Sequence, residues 1–219
     1  MRQILRPLLL PVLSLLFGNA HAASVSNATE LRDALRGNAQ AVDLQDIPLD
    51  RGCGPMGCVI DIAELRIQLD QGQLQRVDGK PLHWQEQGKD LPELDWSPLS
   101  AYRVSSAGKN WGICLEFTHS GLGKSGAFQR WGSLVLVPFD GAQPGPNAYR
   151  LLGYWSGCDS LQVGSEPGQV RLPIVSQKPA SAEPALQLRH YRCDANGCQA
   201  DATGTPIREQ NGALQLPPL

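Results

Sequence analysis

The sequence predicts a mainly β fold, an antiparallel β-sandwich or barrel, stapled by disulfides and carrying one short N-terminal helix. Three observations predict it. Apolar and polar residues alternate with a period of two through most of the chain. Turn formers are frequent, with 23 glycines and 17 prolines among 219 residues, so the runs between them are short. Six cysteines, an even number, all follow a leader of export type.

The leader comes first. MRQILRPLLLPVLSLLFGNAHA has Arg2 and Arg6 at its start, an apolar run from Leu8 to Phe17, and the small-x-small motif Ala20-His21-Ala22. The run is short of the roughly 20 apolar residues of a membrane span. We therefore expect residues 1–22 to be a cleaved signal peptide and 23–219 a single mainly-β domain, exported to the periplasm. Cleavage lowers Lys plus Arg from 19 to 17 against 21 Asp plus Glu, a net charge of about −4. Basic clusters do not exceed two adjacent residues, which argues against nucleic acid as a partner.

The exported part opens with a helix in SNATELRDALRG. Asn27 is the N-cap and Glu30 stands three residues on, as in a capping box. Leu31, Ala34 and Leu35 form the apolar stripe, and Gly37 is the stop. The period then becomes two. VDLQDIPL alternates around Val42, Leu44 and Ile47, and AELRIQLDQG around Leu65, Ile67 and Leu69. QLQRVDGKPLHW reads as a hairpin across Asp78-Gly79. Residues 88–100 hold two prolines and no period, and read as a loop. NWGICLEF, RWGSLVLVPF and YRLLGYWSGC are apolar enough for the centre of a sheet covered on both faces. Their connections at 118–129 and 140–148 are rich in glycine or proline. GQVRLPIV, LQLRHYRC, CQADAT and GALQLPPL complete about eight to eleven strands, with 176–185 as an exposed loop.

Spacing orders the cysteines. CGPMGC and CDANGC each close a four-residue loop, so Cys53 pairs with Cys58 and Cys193 with Cys198. In the second, Asn196-Gly197 supplies the turn through its tolerance of positive φ. Cys114 and Cys158 remain, and would tie two long strands together. Chain entropy assigns about 2 kcal/mol to each short bridge and about 4 kcal/mol to the long one. Two C-x4-C pairs also suit a zinc site, but that leaves Cys114 and Cys158 over. No C-x-x-C redox motif occurs.

Chemical motifs are weak. His83, His119 and His190 show no metal-ligand spacing. Gly123-Lys124-Ser125 resembles the end of a phosphate loop, but Thr118 stands where its first glycine belongs. Ser120 and Ser125 near His119 lack the G-x-S-x-G elbow. Glu93, Asp95, Glu116 and Asp159 are carboxylates whose separation the sequence does not show. We expect no catalytic residue, cofactor or metal. Trp111, Trp131 and Trp155 lie in the strongest strands and are expected mostly in the core. Trp84 and Trp96, with His119 and Lys124, are the candidate contacts for a partner. The expected function is non-catalytic binding of another envelope protein, most concretely as an inhibitor or immunity protein that neutralises a periplasmic hydrolase or toxin. The alternatives are an envelope hydrolase acting on peptidoglycan or glycan, and a glycan-binding module.

Overall fold

The computed structural model describes residues 23–49, 57–62, 65–70, 73–76, 82–86, 100–117, 131–177 and 186–217. The leader, Cys53 and the Asp78-Gly79 dipeptide lie outside the described residues. The fold is mostly β, as its alternation implies, and takes the form of a disulfide-stapled sandwich.

The chain runs through β1 (Ala23–Val25), α1 (Ala28–Arg36), β2 (Asp43–Asp46), β3 (Gly57–Ile62), β4 (Leu65–Asp70), β5 (Gln73–Arg76) and β6 (His83–Glu86). It continues through β7 (Ser100–Ser106), β8 (Lys109–Phe117), β9 (Trp131–Asp140), β10 (Gln143–Pro144) and β11 (Asn147–Tyr154). A 3-10 turn at Cys158–Ser160 leads to β12 (Gln162–Val163), β13 (Val170–Gln177), β14 (Leu186–Cys193), β15 (Cys198–Ala200), β16 (Thr205–Gln210) and β17 (Ala213–Leu216). One sheet has the order β1-β17-β16-β14-β13-β12, with β15 beside β14. The second has the order β2-β7-β8-β9-β11-β6, with β10 beside β9. The meander β3-β4-β5 makes a third.

The two large sheets pack face to face. Val104, Cys114, Leu134, Leu136, Tyr149 and Leu151 of the second sheet meet Val170, Leu172, Ile174, Tyr191 and Cys193 of the first. They approach so closely at Gly153 that a Cβ there would lie 2.6 Å from Ile174 Cγ2. The opposite face of the second sheet is buried too. Ile113, Leu115, Phe117, Val135, Val137 and Ala148 lie there with Ile47 and Leu82. That double burial explains why β8, β9 and β11 are apolar nearly throughout. A third cluster joins Leu31 and Leu35 of α1 to Val175, Leu188, Ile207, Leu214 and Leu216.

The helix forms as its cap predicts, with one change. Asn27 Oδ1 accepts the Glu30 N–H at 3.0 Å. Glu30 does not take the Asn27 backbone N–H, however. Its Oε2 accepts the Ser26 N–H at 2.7 Å and the Ser26 hydroxyl at 2.9 Å. These bonds hold its carboxyl below the usual range. Gly37 ends the helix at φ +49° and gives its N–H to Asp33 O.

Four further expectations are corrected. The strands on either side of Asp78-Gly79 are not paired with each other among the described residues: β5 pairs with β4, whereas β6 runs parallel to β11. That parallel pair is the exception among otherwise antiparallel described ladders. Its anchor is Arg150, buried on β11, whose Nη1 donates to Glu86 Oε1 at 3.0 Å. Cys114 pairs with Cys158 and Cys193 with Cys198, as spacing implies. Cys158, however, sits in the 3-10 turn rather than on a strand, since the chain leaves β11 at Trp155 with φ +50°. Asn196-Gly197 does not supply positive φ to its turn. Asp194 Oδ1 accepts the N–H groups of Asn196 at 2.7 Å and Gly197 at 3.1 Å, which is an Asx-type turn. Finally, Trp111 is buried, but Trp131 and Trp155 are only half-buried against the third cluster.

Candidate functional site

Antiparallel register decides which loops share an end of the sandwich. Gly112 stands opposite Pro138, Val170 opposite Cys193, and Val163 opposite Val170. The turns at 107–108, 140–146, 164–169 and 194–197 therefore lie together at one end. Phe117 and Trp131, which flank residues 118–130, and Ser100, which follows residues 87–99, lie at the other.

Side chains cross-brace the first end. Trp111 Nε1 donates to Gly168 O at 3.1 Å. The Ser106 hydroxyl donates to Gln169 O at 3.3 Å, and Asn147 Nδ2 to Ala195 O at 3.0 Å. Each bond joins turns from different hairpins. The turns are also stiff on their own account. Ala107 and Gly108 both have positive φ, the signature of a tight two-residue hairpin. Gly164 and Gln169 close the next hairpin with an N–H to O bond of 3.0 Å, and the Cys193–Cys198 bridge closes the third. Ser106, Lys109, Trp111, Phe139, Gly168 and Ala195 surround a cleft of about 180 Å³ between them.

On the outer face of the first sheet, next to this end, lies a polar groove of about 430 Å³. Its floor is one cross-strand row. Gln162 of β12 stands opposite Arg171 of β13, Arg171 opposite Arg192 of β14, and Arg192 opposite Gln199 of β15. Alternation puts this row opposite Leu172 and Tyr191, which point into the core. Asp201 closes one side, with Oδ1 3.7 Å from Arg192 Nη2 and Oδ2 3.8 Å from His190 Nδ1. Burial, and then the Arg171 guanidinium, hold His190 below the ordinary imidazole range, against the pull of Asp201.

A third polar group ties the helix to the long disulfide. Arg32 of α1 pairs with Asp159 Oδ2, and Arg36 Nη2 donates to Asp159 O at 3.4 Å. Glu116 Oε1 accepts the Cys158 N–H at 2.6 Å. Burial pushes the Glu116 carboxyl up, and Asp159 adds to the push, while the Cys158 N–H and Arg32 oppose it. Two carboxylates thus converge with one guanidinium at the turn after β11, each committed to a structural bond.

The predicted site residues fare unevenly. Trp84 lies in β6 with its backbone opposite Ala148, and its side chain is outside the described residues. Trp96, His119, Lys124, Glu93, Asp95, Ser120 and Ser125 also lie outside them. Cys58 is the second residue of β3, opposite Leu69, while its expected partner Cys53 lies outside. Of loop 140–148, Asp140 to Ala142 and Pro146 are exposed, while Pro144, Gly145 and Ala148 are buried and Asn147 is half-buried. No single stretch of the sequence points to the Arg171–Arg192 groove. Alternation in VRLPIV and RHYRC puts each arginine opposite its apolar neighbours, but only the ladder register brings the two together. Among the described residues, no group of three or more His, Cys, Asp or Glu is placed to hold a metal. None of the described helices is long and apolar enough to cross a membrane. Family models, curated proteins and solved structures give no match to this chain.

Proposed function

We propose that this protein is a non-catalytic binding protein of the periplasm that recognises another envelope protein, most concretely as an inhibitor or immunity protein that occludes a hydrolase or toxin. One observation carries the reading: turns from separate hairpins are cross-braced into one surface by Trp111, Ser106 and Asn147. Recognition costs less when the contacting loops are already ordered, because little conformational freedom is lost on association. The exposed tips Ala107, Glu166 and Asn196 present different chemistry on that common base. The disulfides suit an oxidising compartment, where such a scaffold keeps its shape.

The test is capture from envelope extract by the exported protein, followed by the same capture with bulky substitutions at Ala107 and Asn196. One dominant partner, lost with the substitutions, supports the reading. Capture that is indifferent to them removes its basis. The convergence of Glu116 and Asp159 keeps a peptidoglycan or glycan hydrolase as the second reading. Hydrolysis of purified peptidoglycan that vanishes in Asp159→Asn would place that reading first.

A further inference from the structure

Arg171 and Arg192 raise a physical question. Like charges directly opposite on a sheet repel and destabilise the pair. Here two guanidinium groups stand in register on a solvent-facing row, and Asp201 approaches Arg192 and not Arg171. Arg171 is exposed and makes no ion pair among the described residues. With His190 neutral, two cations and one anion leave the groove a single positive charge in excess. That excess matches a carboxylate better than a doubly charged phosphate. Beyond Arg192 the row continues into the exposed amide of Gln199, which offers donors to a backbone lying across it, whereas Gln162 beyond Arg171 is buried and gives its Nε2 to Leu35 O at 3.0 Å. Gln199 is exposed, so a chain can run past the arginines rather than stop at them.

We propose that the groove is a carboxylate-binding site in which Arg171 and Arg192 receive the acidic side chain of a passing polypeptide segment. A guanidinium fork matches a carboxylate geometrically, and two forks on neighbouring strands can take one oxygen each. Asp201 is the built-in competitor. It holds Arg192 when the groove is empty and gives way when a ligand carboxylate arrives. This deepens the binding reading by naming the chemistry of the partner's contact. Gly164 keeps the adjoining hairpin tight, since a Cβ there would lie 2.6 Å from Gln169 O.

The experiment is a fluorescence-anisotropy titration of the whole exported protein with a labelled glutamate-rich peptide, blocked at both ends. Its glutamine counterpart is the control, and a neutral peptide with a free C-terminus is a further arm. The proposal expects the glutamate peptide alone to bind. Arg171→Gln and Arg192→Gln should each weaken it by about tenfold or more. Asp201→Asn should tighten it, and Arg208→Gln, exposed on β16, should leave it unchanged. Thermal melts without peptide show whether each variant folds, and loss of Arg171 should not lower the midpoint. Equal binding by Arg171→Gln and the parent protein overturns the site. So does an Arg208→Gln loss of the same size, which marks diffuse attraction, or binding of the free C-terminus alone. Failure of envelope capture with the peptide result intact would remove the functional reading and leave the site standing. The reverse outcome would remove only the site.

Discussion

Trp111 on β8 donates its indole N–H to the carbonyl of Gly168, 57 residues further along the chain, at 3.1 Å. That bond joins the core of one sheet to a turn of the other. Trp111→Phe keeps a ring in the core but removes the donor and leaves a gap. We expect a loss of about 1–3 kcal/mol in urea unfolding. Hydrogen exchange at residues 164–169 should quicken more than exchange at 211–212, at the far end.

Glu86 and Arg150 set a different constraint. The guanidinium is buried, and the carboxylate is about one-third exposed. Glu86→Gln should destabilise the protein by about 2–3 kcal/mol, because it weakens the charge partner of a buried cation. The exposure of Glu86 keeps the loss at the low end. Chemical denaturation at two salt concentrations checks this: with the guanidinium buried the pair is screened less than one on the open surface, so most of the loss should persist in high salt.

The two described disulfides should differ in value. Cys114–Cys158 closes a separation of 44 residues and Cys193–Cys198 a separation of 5. Replacing the first pair by alanine should cost about 4 kcal/mol and replacing the second about 2 kcal/mol. The second replacement should also loosen the turn that receives Asn147 Nδ2. Equal midpoints for the two double variants would contradict the ranking.

Glu116 should give a pH signature. Its carboxyl is pushed up in the folded state, chiefly by burial, so the native state binds its proton more readily than the unfolded chain does. The ionised group therefore detracts from stability above its folded range, and that loss is relieved as pH falls toward the ordinary carboxylate value near 4.5. Glu116→Gln should be more stable than the parent protein at pH 7, with the difference closing near pH 4. His190 has the opposite sign. As a base held low by burial, it lets the unfolded chain gain more protons below pH 6.5, so it lowers stability on acidification. Thermal midpoints of Glu116→Gln and His190→Gln across that range separate the two.

What was readable in the chain follows from where its apolar groups go. β8 and β9 were plain because nearly every residue of their central runs is buried, so composition alone marks them. The helix was plain because its cap is local. β16 was not, since Ile207 is its one buried residue and TPIREQ shows no period. The Asn211-Gly212 turn beside it, with φ +53° and +77°, was the usable signal. β6 misled because its partner β11 lies far along the chain, whereas Asp78-Gly79 suggested a local one. Spacing makes the two described disulfide pairs legible, but the turn that closes one of them rests on Asp194 rather than on Asn196-Gly197. The arginine groove needed the β13–β14 register, which no single stretch contains.

The most direct test of the functional account is site-specific photocrosslinking in the envelope, with the reactive group placed at Ala107, Glu166 and Asn196 in turn, and at Asn211 as the far-end control. The account predicts one common protein crosslinked from the first three positions and absent from Asn211. Different proteins at each position, or the same product from Asn211, would contradict it.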